Sequence, residues 1–360
     1  MKKVLFILGI CLSFSCSPKV DKSVKTVTIE IENNSNLKDF ITDERIIRLE
    51  TNSDCLIGGI DKICINSEFI FIKDKKNKKV FIFNDKGLFV SKIDSHGNGP
   101  DEYIELSDIA VNNEFVYVLS KPNKSIYIYT YDGKYKRKIN LDDWYHRLNV
   151  TKDYIMLYSC KSNRQFFDII TIDHNGKTIN KSLPFAKDNS FVFDINPFNE
   201  ISDEEYLLCF PYERRVALFS NKHCEYKYKF DFNTKVSFTE EDIEELGYER
   251  IRNQSLYKES LKQIDSITKI GDNVFFMIAT LFIEGKGLRK VLCKSDFDNS
   301  NSITYTTGDE INETYPSFNN PLLIKENNIY CIINPNISSE EEVQESNPSI
   351  GVYSINTSKL

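Results

Sequence analysis

The stretches IFNDKGLFVSKI (Ile82–Ile93) and IYTYDGKYKRKI (Ile128–Ile139) align without a gap, and their glycines, Gly87 and Gly133, stand 46 residues apart. A third copy, ITIDHNGKTINKSL, places Gly176 a further 43 residues on; a fourth, ALFSNKHCEYKYKF, has His223 where the glycine was. Each reads as a strand, a tight Asp/Asn/Gly turn and a second strand. A period in the forties built from paired strands is the sequence signature of a propeller blade.

Working outward, each blade also needs an inner hairpin, and six segments supply one: KICINSEFIFI from Lys62, DIAVNNEFVYVL from Asp108, RLNVTKDYIMLYS from Arg147, NEISDEEYLLCFP from Asn199, ITKIGDNVFFMIA from Ile267 and LLIKENNIYCIIN from Leu322. The outer hairpins of the last two blades are irregular, RKVLCKSDFDNSNSITY (Arg289–Tyr305) and SIGVYSI (Ser349–Ile355). The sixth blade then lacks its outermost strand. IIRLETN (Ile46–Asn52) is expected to supply it and close the ring, which removes an exposed edge. The reading is an all-β, six-bladed propeller from Asp39 to about Ile355. DSHGNGPDEY (Asp94–Tyr103) becomes a crossover from the rim of one blade to the channel of the next, with Gly97 and Gly99 expected to supply positive φ and Pro100 to restrain the turn.

One interruption breaks the period. Thr239–Ile264 opens with a Thr-x-x-Asp start and carries Ile243, Leu246, Ile251, Leu256 and Leu261 at helical spacing, so a helical insertion between the fourth and fifth blades is expected, split at Gly247.

The N-terminus, MKKVLFILGICLSFSCSPKVDKS, joins Lys2 and Lys3 to an apolar run from Val4 to Phe14 that is too short to span a bilayer. It reads as a signal peptide. Ser13-Phe14-Ser15-Cys16 resembles a bacterial lipobox, which makes residues 1–15 the leader, Cys16 the lipidated residue, and residues 16–38 a lipidated tether. Anchoring to the non-cytoplasmic side of a membrane, the outer one in this reading, follows, and an ordinary signal peptide is the alternative. Seven cysteines remain, and Cys64, Cys209, Cys293 and Cys331 lie in apolar strand-like runs, where cysteine acts as a small hydrophobe. Free buried thiols are expected.

The chain resembles the six-bladed β-propeller lipoproteins of Bacteroidetes, related to NHL-type and TolB-like propellers. The resemblance rests on SDCLIGGIDKI from Ser53, on FNDKGLFVSKI followed by GNGPDEY, and on NPSIGVYSI from Asn347. It implies fold and compartment, and no catalytic residue is carried over with it.

No HExxH, GxSxG, Walker loop or GxGxxG occurs, and His96, His146, His174 and His223 have no close metal-ligand spacing. Neither a cofactor nor a bound metal is expected. The net charge of −7 argues against a nucleic-acid partner. Residues at the starts of the inner strands, Asp61, Asp108, His146, Arg147, Asp265 and Asn320, are expected to line the channel mouth, with Asn98 at the tip of the GNGPDEY crossover. Five loops on the same face are basic, carrying Lys76, Lys121, Arg164 and Arg215 among others, while SSEEEVQES (Ser338–Ser346) is acidic. Two functions compete. A binding or scaffold module for an anionic glycan, a peptide or an envelope protein needs only such a charged face. An enzyme, a lyase or glycan hydrolase, needs converging acid and base groups or a metal at the channel mouth, and no catalytic spacing favours it.

Overall fold

A computed structural model describes residues 24–31, 35–186, 193, 195–298, 300–308, 315, 317, 318, 320–335 and 346–358. Two strands, β1 (Lys25–Ile29) and β2 (Ile41–Arg48), precede the repeats. The first blade is β3 (Lys62–Ile65), β4 (Phe69–Asp74), β5 (Lys79–Asn84) and β6 (Phe89–Ile93). The second is β7 (Asp108–Val111), β8 (Phe115–Ser120), β9 (Ser125–Thr130) and β10 (Tyr135–Asn140). The third is β11 (Arg147–Val150), β12 (Ile155–Tyr158), β13 (Phe167–Ile172) and β14 (Thr178–Pro184). The fourth is β15 (Phe198–Glu200), β16 (Tyr206–Cys209), β17 (Arg215–Ser220) and β18 (His223–Phe232), followed by helix α1 (Glu240–Ser255). The fifth is β19 (Ser260–Ile270), β20 (Val274–Ile283), β21 (Gly287–Asp296) and β22 (Asn301–Thr306). The last is β23 (Pro321–Lys325), β24 (Asn328–Ile333) and β25 (Ser349–Ile355).

Each blade is an antiparallel meander, and the sixth is completed by β2 in the order β2-β25-β24-β23. The ring therefore closes as expected, with a shift in the closing strand: β2 begins at Ile41 and ends at Arg48, pairing Ile47 with Ile350. Closure also shows in the packing. Six apolar clusters fill the six spaces between neighbouring blades, including one that joins Ile63, Ile72 and Phe81 of the first blade to Tyr330, Ile350 and Val352 of the last. Blade strands are apolar on both faces because both are buried against neighbours, as in Val80–Phe83 of β5.

The turn glycines carry the repeat. Gly87 has φ 83° and Gly133 φ 80°, a region costly for any residue with a Cβ. A Cβ would also meet the backbone of the preceding blade, lying 2.2 Å from the Arg48 carbonyl oxygen at Gly87 and 2.5 Å from that of Lys92 at Gly133. Gly97 and Gly99 do not take positive φ, contrary to expectation. At Gly97 a Cβ would meet only the end of the Glu102 side chain, whose carboxylate accepts the Gly99 N–H at 2.8 Å.

Two further differences concern the ends of elements. The domain begins earlier than Asp39: β1 adds a fifth strand to the fourth blade, parallel to β18, with Val27 and Ile29 buried between the fourth and fifth blades. The helical insertion is shorter than Thr239–Ile264. Its Thr239–Asp242 capping box forms and Gly247 breaks it at φ 74°, ψ 160°, but it stops at Ser255. Leu261 and Ile264 are buried strand residues of β19, whose bulges between Leu261 and Gln263 and between Ile264 and Ser266 disguise its alternation. All seven described cysteines are free thiols.

Candidate functional site

The rim-to-channel crossovers and the loops from second to third strand of each blade share one end of the ring, the crossover face. Their contacts prove the adjacency: Lys79 Nζ to Asp94 at 2.9 Å, the Tyr103 hydroxyl to the Lys78 carbonyl at 2.6 Å, and the Arg164 N–H to Asp143 Oδ2 at 2.8 Å. α1 lies on this face as well, its Ile243, Tyr248 and Ile251 packed over the third and fourth blades.

The residues expected at the channel mouth separate into groups. Asp108 is fully buried at the start of β7, where its carboxylate accepts from Lys62 Nζ at 2.9 and 3.0 Å and from the Leu148 N–H at 3.0 Å. Burial pushes its pKa up, but Lys62, Arg147 and Lys73 outweigh that and hold it below the usual value. Lys73, also buried, donates to the Ser107 carbonyl at 2.8 Å, and desolvation lowers its pKa to about 8. Arg147 donates to the His146 carbonyl at 2.7 Å. Asp108 thus holds an internal ion-pair network together. Asp265 sits across the ring with Lys290 Nζ at 2.7 Å and the Thr280 hydroxyl at 2.6 Å. Asp61 is exposed and caps the Lys75 N–H at 2.7 Å; Asn98 and Asn320 are exposed. Among the described residues no group of three or more His, Cys, Asp or Glu side chains could hold a metal ion.

A cavity of about 880 Å³ runs along the inner strands, lined by Asp61 and Asp265 of the expected set and by apolar residues such as Ile65, Val111 and Leu322. Glu114, Asp153, Asp203 and Glu204, on the turns between first and second strands, also line it. They mark the end opposite the crossover face.

The basic loops meet different partners. Lys76 and Arg164 are exposed, as expected of a rim. Lys78 Nζ lies 2.9 Å from His96 Nε2, and Lys121 Nζ 3.2 Å from His146 Nε2. His146 is buried, and desolvation followed by the Lys121 and Arg147 charges lowers its pKa to about 3, so the ring is neutral. Arg215 departs from the expected exposed rim: its guanidinium lies 3.8 Å from the Tyr226 ring centroid and 3.8 Å from Glu213. It belongs to a buried cluster beneath α1. There Lys161 pairs with Glu213 at 3.2 Å, Tyr226 donates to Glu213 at 2.9 Å, and Asp168 accepts the Lys161 N–H at 2.8 Å. Burial raises Asp168 to about 6, against the pull of Lys161. The same desolvation pushes down Lys161, but Glu213 and Asp168 outweigh it and its pKa is raised.

The sequence reading passed over Trp144, the only tryptophan in the chain. It stands on the crossover between β10 and β11, half-buried, with Lys124 Nζ 4.9 Å and Arg164 Cζ 5.4 Å from its ring centroid. A lone tryptophan on a crossover between basic loops was the available signal.

A family model described as a domain of unknown function, DUF4934, matches residues 23–357, and the chain belongs to that family. Its fold is similar to that of a Bacteroides fragilis protein named as an exported protein, with TM-score 0.69 and 13% identity over 92% of this chain and 99% of that one. It is also similar to a DUF4221 family member from Bacteroides vulgatus, with TM-score 0.53 and 10% identity over 88% and 97%. No curated protein matches it in sequence.

Proposed function

We propose that this member of the DUF4934 family is an exported binding module, held by a lipid on Cys16 to the outer membrane, whose crossover face takes an anionic glycan or peptide. Cys16 lies outside the described residues; Lys2, Lys3, the apolar run and the Ser15-Cys16 pair support the anchor. One observation carries the binding reading. Several cations on this face meet groups that do not cancel their charge: Lys78 Nζ meets His96 Nε2, Lys121 Nζ meets Nε2 of neutral His146, and Lys124 and Arg164 lie over the Trp144 ring. A cation over an aromatic ring keeps its full charge and its attraction for an anion.

The test combines Lys76→Gln, Lys78→Gln and Arg164→Gln in one variant. Binding of an acidic polymer, polygalacturonate or poly-L-glutamate, should weaken at least tenfold and fall steeply from low to high salt. The thermal midpoint should barely move, because exposed charges contribute little to stability. Binding indifferent to salt and to all three substitutions would refute the reading. Cys16→Ala should free the protein from the membrane fraction; its retention there would refute the anchor.

A further inference from the structure

Trp144 is fixed before any ligand arrives. The buried carboxylate of Asp143 accepts the Trp144 N–H at 3.0 Å and the Arg164 N–H at 2.8 Å, and the indole N–H donates to the Ser162 carbonyl at 2.9 Å. The crossover and the loop after β12 are thereby tied to each other, and the ring is held where Lys124, from the loop after β8, also reaches it. Among the described residues neither Lys124 nor Arg164 has a carboxylate within ion-pair distance. Two successive blades thus direct one cation each to a single half-buried indole.

We infer that Trp144, Lys124 and Arg164 form the subsite for one carboxylated sugar unit of an acidic polysaccharide. The inference rests on the proposed anionic ligand of the crossover face and narrows its class. A pyranose ring has an apolar C–H face that matches a flat, rigid aromatic, and the indole offers that surface with little conformational entropy left to lose. The carboxylate draws the guanidinium and the ammonium off the ring, exchanging exposed cation–π contacts for charge-assisted hydrogen bonds, with Arg164 able to bind two oxygens at once. A peptide carboxylate on a flexible stem would use the two cations and leave the indole idle.

The single tryptophan makes the test direct, since its emission reports on this subsite alone. The full chain is titrated with polygalacturonate and with poly-L-glutamate at low salt. Polygalacturonate should shift Trp144 emission, Trp144→Ala should weaken its binding at least tenfold, and Trp144→Phe should restore most of the loss. Poly-L-glutamate should bind more weakly, with affinity unchanged by Trp144→Ala. Arg164→Gln, an exposed substitution, should weaken polygalacturonate at least fivefold, and it decides the matter should Trp144→Ala fail to fold. If poly-L-glutamate binds as tightly as polygalacturonate and tryptophan emission is silent with both, the sugar subsite is overturned while the anionic-ligand reading stands. If neither polymer binds, both fall.

Discussion

Truncating Ile29 to alanine tests whether β1 is part of the cooperative fold. Ile29 is fully buried, pairs with Phe232 of β18, and packs in the cluster that includes Phe230, Phe275 and Leu281. Removing three carbons forfeits about 0.8 kcal/mol for each, roughly 2.4 kcal/mol of transfer free energy, and the hole left among aromatic rings adds to it. The expected cost is about 2–4 kcal/mol. Val27→Ala, one alternation away on the same buried face, should cost less, roughly 1.5–3 kcal/mol. Thr28 faces solvent between them, and Thr28→Ala should cost under about 0.5 kcal/mol. Urea unfolding followed by circular dichroism reads all three. The midpoint should fall for Ile29→Ala and Val27→Ala at constant slope, since the surface exposed on unfolding is nearly unchanged. Equal midpoints for Ile29→Ala and Thr28→Ala would refute the reasoning and make β1 an appendage that detaches before the ring unfolds.

Gly87→Ala should destabilise by more than about 1 kcal/mol, because the residue sits at φ 83° and its Cβ would lie 2.2 Å from a backbone oxygen, whereas Gly59→Ala, with open space around it, should be neutral in the same unfolding assay. Asp168 gives a pH dependence with an unusual sign. Its folded pKa, about 6, lies above the ordinary 3.8, so between those values the native state binds more protons and stability falls as pH rises, by about 3 kcal/mol in all. Asp168→Asn should flatten stability across that window in urea titrations from pH 4 to 7; an undiminished slope would assign the effect to another group.

The architecture was legible because the propeller writes its period into turn chemistry. Gly87, Gly133 and Gly176 share a backbone conformation that few other residues tolerate, and the inner hairpins repeat between them. β1 was not legible: KTVTI offers only two buried positions, and its partner is some two hundred residues away. The end of α1 was misplaced because Leu256 and Leu261 fit helical spacing, while the bulges of β19 erase strand alternation at the same place. For the candidate site, the sequence reading matches the structure in placing Lys76 and Arg164 on exposed loops of the crossover face. Pairing was beyond it, since whether Asp108 meets solvent or Lys62, and whether Arg215 projects or lies on Tyr226, depends on which blade arrives beside it. Trp144 was overlooked because its significance lies in Lys124 and Arg164, each brought from a different blade.

β1 runs parallel to β18, and the direction of that pairing has a mechanical meaning. Lys25 lies at the end where the hairpin turns gather, its Nζ 2.8 Å from Asn273 Oδ1 in the turn after β19, while Ile29 ends beside Phe232 where the chain departs toward α1. β1 therefore begins at the hairpin end, at Lys25. Tension applied there pulls β1 along its own axis, so the five paired residues resist together in shear instead of opening one after another. With the anchor proposed at Cys16, a tether would reach the ring at its hairpin end, and the crossover loops, with Trp144 among them, would be presented on the opposite side.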